Sequence, residues 1–276
     1  MCILTVLRSA EAPAGIYFQA HRGGLMEVPE NTLAAFRHAW DIPGAIPEVD
    51  VAVTRDGAMV CMHDDTPART TNAPADFKGK PLSAIPLDEL RKWDAGVKFD
   101  PKYTGEKVPI LKEVFEEMKG RPDRQAYLDL KEVDLKALLG MIDAYGLRKQ
   151  VIFVHGDPET CMKLQGLYPG ARTMTWLSGA PDKIRERFEK LAEGRFKGIS
   201  QLQFHLKAAS TAPEIRYVLD NEFLRDAIEK TRVADVDLQV RPFAFDAKSL
   251  KSLTELGVRW FITDEPKRLA DCLAGK

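Results

Sequence analysis

The sequence alternates strand-like and helix-like segments along most of its length, and this alternation most constrains the fold. Runs rich in β-branched and aromatic residues predict strands at 16–20, 47–53, 58–62, 126–130, 151–154, 172–176, 198–204, 236–241 and 258–262. Amphipathic segments lie between them at 31–40, 110–119, 134–145, 182–193, 222–231 and 247–256. Repeated strand–helix units predict a parallel sheet covered by helices. About eight such units in ~250 residues predict a (β/α)8 barrel of the TIM type.

An open, doubly wound sheet is the alternative architecture. The glycine-rich dinucleotide motif of that fold does not follow the first strand, so the barrel is favoured. We expect one domain over residues 1–276, interrupted by 64–109, which are rich in Pro, Gly, Thr, Asp and Lys. This stretch is too long for a plain connection in a compact domain. It predicts a small insertion at the C-terminal mouth of the barrel, acting as a lid or specificity element.

Charge and composition exclude some classes of function. The 40 basic and 41 acidic residues are interspersed and leave a net charge of −1, which argues against general nucleic-acid binding. We expect no transmembrane segment, since no apolar run approaches the ~18 residues that cross a bilayer. The first 15 residues do not resemble a secretory signal peptide, which leaves the compartment open. The scattered Cys2, Cys61, Cys161 and Cys272 are expected to be free thiols.

The predicted strand 47–53 carries two acidic residues where a buried strand should be apolar. Strand side chains alternate between faces, so Val49 and Val51 share one face while Glu48 and Asp50 share the other. The valine face suits packing against the outer helices, which turns both carboxylates into the barrel. Burying such a pair without a counter-charge costs several kcal/mol per ion. The sequence therefore predicts a cation beside them.

Other strands repeat this pattern at their C-terminal ends. Asp129 and Lys131 share the inward face of strand 126–130 and its continuation, and His21 and His63 come directly after two further strands. The active sites of TIM barrels are built at these ends. Each feature alone has an ordinary structural interpretation, as a solvated strand edge or a hydrogen-bonded histidine. Their convergence favours a functional site.

The residue types at this site indicate its chemistry. Three carboxylates without a neighbouring cysteine are oxygen ligands for one hard divalent cation, Mg²⁺ or Ca²⁺. Zinc would be expected to recruit histidines directly, and no HxH or HExxH motif is present. The cation, the two histidines, Arg22 and Lys131 together suit an anionic tetrahedral substrate. Phosphodiester cleavage is the natural reaction, in which one histidine takes a proton and the other gives one.

Several motifs resemble the glycerophosphodiester phosphodiesterase family, whose members are built on a TIM-type barrel. The resemblance is dense in the first quarter of the chain and lighter at the C-terminal end. It rests on the stretches AHRGG (20–24), PENTLAAF (29–36), EVDVAVTRDGAMVCMHD (48–64), RTT (69–71) and ITDEP (262–266).

The resemblance implies a role for each matching residue. The implied acid–base pair is His21 and His63, the implied metal ligands are Glu48, Asp50 and Asp129, and the implied phosphate contacts are Arg22 and Lys131. The reaction it implies begins with attack by the neighbouring glycerol hydroxyl and passes through a cyclic phosphate. Water then opens the ring to give glycerol 3-phosphate and an alcohol.

Two departures from the family pattern bear on the metal and the substrate. Asp129 stands where the family usually has glutamate, one methylene longer. The stretch LQVRPFAFD (238–246) replaces the family's Trp-Thr-x-Asn. We expect Arg241 to meet an additional anionic group of the substrate, and Phe243 and Phe245 to replace the tryptophan contact. Trp176 is a further candidate for the wall around the headgroup.

Two other functions remain open at this point. A related enzyme on the same scaffold acts on a larger lipid, such as a lysophospholipid or sphingomyelin, and a large apolar groove beneath the insertion would favour it. The other is a catalytically weak phosphate-binding protein, which should have lost a histidine or a ligand. Asn31 or Thr32 is expected to cap the following helix, and Glu30 lies close enough in sequence to orient His21 or a metal-bound water. His155 and His205 are candidates for the mouth. The oligomeric state is not predicted.

Overall fold

The structure is a computed structural model that describes residues 15–275, so the expectations for Cys2 and the N-terminal segment lie outside the described residues. The strands are β1 (Tyr17–Ala20), β2 (Ala45–Val53), β3 (Met59–Cys61), β4 (Ala126–Leu130), β5 (Val151–Val154), β6 (Arg172–Leu177), β7 (Gln201–Leu206), β8 (Ala208–Ser210), β9 (Arg216–Tyr217), β10 (Asp237–Pro242) and β11 (Trp260–Thr263). The helices are α1 (Leu33–Trp40), α2 (Ala75–Lys78), α3 (Leu87–Leu90), α4 (Leu111–Met118), α5 (Leu135–Tyr145), α6 (Pro158–Leu167), α7 (Pro181–Glu193), α8 (Asn221–Val233), α9 (Ala247–Leu256) and α10 (Pro266–Leu273).

Eight parallel strands close into a barrel. Their order is β1-β2-β4-β5-β6-β7-β10-β11, and β1 pairs with both β2 and β11. Helices connect successive barrel strands, so the (β/α)8 prediction is confirmed and the doubly wound alternative is wrong. The predicted strand 58–62 corresponds to β3, which is not a barrel strand but runs antiparallel to β2. The chain reverses between them because Gly57 adopts φ +81° and donates its N–H to the carbonyl of Thr54.

Apolar packing lies mainly between the barrel and its helices. Val49 and Val51 share one cluster with Leu128 and Leu130, as the alternation of β2 and β4 predicts. This arrangement turns the intervening polar residues of both strands into the barrel. Four helices that follow barrel strands begin where an aspartate accepts backbone N–H bonds: Asp134, Asp157, Asp220 and Asp246. These caps help to end each connecting loop at a defined residue.

Residues 64–109 fold into a compact segment beside the barrel mouth. Their apolar side chains, including Leu90 and Trp93, pack with Val60 and Met62 at the end of the β2–β3 hairpin. Arg91 binds Glu113 of α4 through two hydrogen bonds of 2.7 and 2.8 Å. The insertion is therefore held against the barrel wall, and its role as a lid or specificity element stays a prediction.

Two further properties concern the whole described chain. Between residues 15 and 275, no helix combines the length and the apolar character needed to cross a membrane. Cys61, Cys161 and Cys272 are free thiols in the same range.

Candidate active site

Adjacent strands bring three carboxylates to one point at the C-terminal end of the barrel. Asp50 of β2 and Asp129 of β4 are direct neighbours in the parallel register, and Glu48 lies two residues before Asp50. One oxygen atom from each carboxylate lies within 4.8 Å of the others. Glu48 and Asp50 are only 4% and 0% exposed. The sequence prediction that these side chains share the inward face is therefore confirmed.

Two side chains from other segments hold Asp50 in place. Lys131 Nζ lies 3.1 Å from Asp50 Oδ1 and 2.9 Å from Asp129 Oδ2. Asn31 donates from Nδ2 to Asp50 Oδ2 at 2.7 Å and accepts the Asp50 backbone N–H at 3.0 Å. Thr32, rather than Asn31, caps α1 by accepting the N–H of Ala35. The sequence left the cap open between these two residues and missed the Asn31–Asp50 contact.

The three carboxylates differ in how readily they ionise. Burial, together with the nearby Asp50 and Asp129 charges, raises the pKa of Glu48 well above its usual range. Burial also acts to raise the pKa of Asp50, but Lys131 and the Asn31 hydrogen bond outweigh it and hold this pKa low. Burial raises the pKa of Asp129 despite the opposing charge of Lys131. Repulsion between neighbouring carboxylates contributes to both raised pKa values, and a bound cation would relieve it.

This donor set fits a hard divalent cation. All three candidate ligands are carboxylates, which suit Mg²⁺ or Ca²⁺. Asp50 Oδ1 is buried and contacts Lys131 Nζ, so a cation at the cluster would add to an existing positive partner. The side-chain amide of Gln19 on β1 orients Glu48 by donating a hydrogen bond to its Oε2. The site could thus bind one cation through Glu48, Asp50 and Asp129, and Gln19 is a supporting residue that the sequence did not reveal.

His21 lies beside this cluster and is held from behind by an aspartate. Its Nδ1 is 2.6 Å from Asp264 Oδ1, and its Nε2 is 3.8 Å from Glu48 Oε1. Arg241 donates to the same Asp264 oxygen at 2.9 Å. Burial lowers the pKa of His21, as does Arg241, while Asp264 opposes them. The sequence assigned no role to Asp264, although this residue lies only two positions after the predicted strand 258–262 and directly follows β11.

His63 belongs to a second hydrogen-bonded group at the start of the insertion. His63 Nδ1 lies 2.9 Å from Asp64 Oδ1, and Asp64 accepts two hydrogen bonds from Arg69. Arg69 also donates twice to Glu30, which accepts a further hydrogen bond from Arg22. The expectation that Glu30 orients His21 is wrong, because two arginines hold its carboxylate.

The loop that carries Arg22 turns sharply after β1. Arg22 has φ 52°, and Gly23 and Gly24 have φ 83° and 113°. A Cβ on Gly23 would come within 2.6 Å of Ala35 in α1. Gly23 is therefore required for packing of this loop against α1. The Nε atom of Arg22 is buried, lies 3.8 Å from Asp50 Oδ2 and has no hydrogen-bond acceptor in the described part of the chain.

The remaining candidates occupy the side of the mouth formed by β6, β7 and β10. Phe243 is 52% exposed, and its ring contacts the His205 ring with centroids 5.4 Å apart. The Arg241 guanidinium lies 5.0 Å from the Phe243 centroid. Burial, with Arg241 adding to it, lowers the pKa of His205 to about 4. Trp176 packs at the edge of the barrel interior.

One expectation for this side of the mouth is wrong, and another stays a prediction. Phe245 is buried in the main apolar cluster, so it cannot replace an aromatic substrate contact. His155 Nδ1 accepts the backbone N–H of Asp157 at 3.0 Å, and the expected place of this histidine at the mouth stays a prediction.

Comparisons with known proteins agree on one family. A sequence model of the Glycerophosphoryl diester phosphodiesterase family matches residues 21–268. A glycerophosphodiester phosphodiesterase of Caldanaerobacter subterraneus subsp. tengcongensis is 46% identical over 97 residues, which are 35% of this chain and 38% of that protein. The matched segments of the first three curated relatives span 38%, 47% and 61% of those proteins, less than two thirds of their length.

Solved structures of similar fold extend over nearly the whole chain. The glycerophosphodiester phosphodiesterase from Agrobacterium tumefaciens superimposes with a TM-score of 0.72 and 25% identity, covering 92% of this chain and 99% of that one. An Oleispira antarctica phosphodiesterase in complex with the product sn-glycerol-3-phosphate gives a TM-score of 0.67 at 23% identity, covering 94% of this chain and 96% of that one.

Proposed function

This chain belongs to the glycerophosphoryl diester phosphodiesterase family, and from that premise we propose that it hydrolyses glycerophosphodiesters to glycerol 3-phosphate and an alcohol. The observation that carries this proposal is the juxtaposition of an acidic cluster with cations and two carboxylate-held histidines at one barrel mouth. The reaction needs charge to neutralise the phosphoryl oxygens and two groups to move protons. Glu48, Asp50 and Asp129 meet the first need with a bound cation, and His21 and His63 meet the second.

In each histidine one ring nitrogen, Nε2, is the atom that exchanges a proton with the substrate. Asp264 accepts the Nδ1–H of His21, and Asp64 accepts the Nδ1–H of His63, which leaves Nε2 of both rings free to exchange a proton with substrate. The free Nε2 of His21 lies towards Glu48. One ring removes the proton of the attacking hydroxyl, and the other, in its protonated form, delivers a proton to the leaving alcohol oxygen.

The attacking group is the glycerol hydroxyl next to the phosphodiester. Its oxygen forms a new bond to phosphorus while the bond to the leaving alcohol breaks, which gives a cyclic phosphate. Water then attacks phosphorus and the ring P–O bond breaks, with the proton transfers reversed. Glu48, Asp50 and Asp129 would hold the cation, which when bound would supply Lewis-acid stabilisation for the phosphoryl oxygens. Arg22 and Lys131 add positive charge beside the cluster, where it would stabilise the phosphoryl oxygens.

Arg241, Phe243 and Trp176 are the proposed contacts to the rest of the substrate. The guanidinium of Arg241 lies against the Phe243 ring, so a cation already lies beside this aromatic side chain. A quaternary ammonium would compete with Arg241 for the ring and be repelled by its charge. This arrangement favours a substrate whose alcohol portion carries an anionic group.

The two alternative functions have weaker support. A cavity between the insertion and the barrel, lined by residues that include Cys61, His63 and Val108, has a volume of about 10 Å³. A cavity of this size accommodates one water molecule, so it is not the large apolar groove that a lysophospholipid or sphingomyelin substrate would need. A catalytically weak phosphate-binding protein would not need both histidines and all three carboxylates, which this chain retains.

The direct test is the release of glycerol 3-phosphate from glycerophosphocholine, glycerophosphoethanolamine and glycerophosphoserine. Each reaction is run with Mg²⁺, with Ca²⁺ and with EDTA. We expect metal-dependent product from at least one substrate. Folded protein that releases no product with either metal would overturn the proposal, and product that persists in EDTA would overturn the role of the cation.

A further inference from the structure

Arg69 links two segments of the chain that carry active-site residues: the β1–α1 loop, which carries Arg22, and the start of the insertion, next to His63. It donates from NH1 and NH2 to Glu30 at 2.6 and 2.8 Å, and from Nε and NH2 to Asp64 at 2.7 and 2.8 Å. Glu30 precedes α1, whereas Asp64 begins the insertion. One guanidinium therefore connects the β1–α1 loop to the insertion through four hydrogen bonds.

Each of these two carboxylates also forms a hydrogen bond with a proposed active-site side chain. Glu30 Oε1 accepts from Arg22 NH1 at 2.9 Å, and Asp64 Oδ1 accepts from His63 Nδ1 at 2.9 Å. The series therefore runs from Arg22 through Glu30, Arg69 and Asp64 to His63. Arg22 Nε lies 3.8 Å from Asp50 Oδ2 in the acidic cluster, and His63 joins the series through Nδ1.

The geometry points to a positioning role for Arg69: we propose that it holds Arg22 and His63 in one mutual arrangement, so that phosphate binding and proton transfer act on the same bound substrate. This inference rests on the proposed function. The Glu30 and Arg22 side chains are only 9% and 15% exposed, so this half of the series is poorly screened by solvent. A planar guanidinium can fork to two carboxylates at once, which an ammonium cannot do in the same geometry.

The series has two branches that can be cut separately. Glu30→Gln removes the charge that holds Arg22, and we expect it mainly to raise KM. Asp64→Asn removes the carboxylate that favours the Nδ1–H tautomer of His63, and we expect it mainly to lower kcat. Arg69→Met cuts both branches, so kcat falls and KM rises together, with a loss in kcat/KM of about 10–100-fold, the size usual for residues that orient active-site groups.

Two further variants separate positioning from charge and from general loosening. Arg69→Lys keeps the charge but cannot form both forks, and we expect it to lose nearly as much activity as Arg69→Met. Arg91→Met is the matched control, because Arg91 also joins the insertion to the barrel through a two-bond pair with a glutamate, but away from the histidines. We expect its kcat/KM to stay within threefold of the parent.

A spectroscopic measurement tests the proposal without turnover. The ¹⁵N shifts of the His63 ring report which nitrogen carries the proton. We expect the Nδ1–H tautomer in the parent and in Arg91→Met, and a mixture of tautomers in Arg69→Met. If the parent hydrolyses no diester, this readout still tests the inference while the proposed function fails. Unchanged His63 shifts in Arg69→Met, or full activity in Arg69→Lys, would overturn the positioning role.

Discussion

His21 Nδ1 and Asp264 Oδ1 lie 2.6 Å apart although 243 positions separate the two residues in the sequence. The contact exists because β1 and β11 are hydrogen-bonded neighbours that close the barrel, and each residue directly follows its strand. Burial acts to raise the pKa of Asp264, but its hydrogen bond to His21 and the charges of His21 and Arg241 hold it below the usual range. An ionised Asp264 accepts the Nδ1–H of His21 and leaves Nε2 directed towards the acidic cluster.

Replacing Asp264 should therefore impair His21 without removing it. In Asp264→Asn the neutral amide no longer favours the Nδ1–H tautomer of His21. We expect kcat to fall about 10–100-fold, as for other residues that orient active-site groups. Steady-state kinetics check this, with circular dichroism to verify folding. Asp271→Asn on α10 is the matched control, since within residues 15–275 Asp271 pairs only with the exposed Lys267, and it should leave kcat unchanged. Equal kcat values for Asp264→Asn and the parent would contradict the role.

Removing either proton carrier should nearly abolish turnover. We expect His21→Ala and His63→Ala each to lower kcat by about 10²–10⁴-fold, the usual contribution of positioned acid–base groups. His38→Ala is the comparison, because His38 lies on α1 and pairs with Glu27. Near-parental rates of diester cleavage in both active-site variants would rule out the acid–base assignment.

Binding of a divalent cation should stabilise the folded protein. A ligand that binds only the native state raises the free energy of unfolding by RT ln(1 + [L]/Kd). We expect Mg²⁺ or Ca²⁺ to raise the Tm of the parent in thermal unfolding and to give heat in calorimetric titration. In Asp50→Asn both effects should disappear, since the central ligand is lost. A Tm increase of equal size in the variant would place the ion elsewhere.

His205 should make the protein less stable as the pH falls below neutrality. Its pKa is about 4 in the folded protein, because of burial first and Arg241 second, against an ordinary value of 6.5. Between these values the unfolded chain binds the proton and the native state does not, so the free energy of unfolding falls as the pH drops from 6.5 to 4. We expect urea unfolding of His205→Gln to show a smaller loss between pH 7 and 5. An NMR titration that finds a His205 pKa near 6.5 would contradict this.

Arg241 should determine which alcohol the enzyme releases best. We expect the parent to cleave glycerophosphoserine, whose leaving group carries a carboxylate, with a higher kcat/KM than glycerophosphocholine. Arg241→Gln also disturbs Asp264, so its absolute rate will fall, and the informative quantity is the ratio between the two substrates. That ratio should move at least several-fold towards choline. A ratio equal to that of the parent would show that Arg241 makes no contact with the leaving group.

Much of the fold follows from local sequence pattern. The predicted strands 126–130 and 151–154 and helix 247–256 coincide with β4, β5 and α9, because their apolar spacing and flanking turns are local properties. The helices α6 and α10 and the β8–β9 hairpin were not predicted. Both helices begin with a proline in the first turn, a residue that marks a helix start. β3 pairs with β2 in a hairpin and is not a barrel strand, because the chain turns back at Gly57.

The sequence by itself determined which side chains enter the site, since strand alternation places Glu48, Asp50, Asp129 and Lys131 on inward faces. It also indicated a cation and two histidines, because buried carboxylates require compensation. Only the tertiary structure decided the partners: Asp264 for His21, Asn31 for Asp50, and Arg69 between Glu30 and Asp64. These partners meet through barrel closure and loop packing. Such contacts depend on the register of distant strands, whereas local periodicity reports only which face a residue occupies.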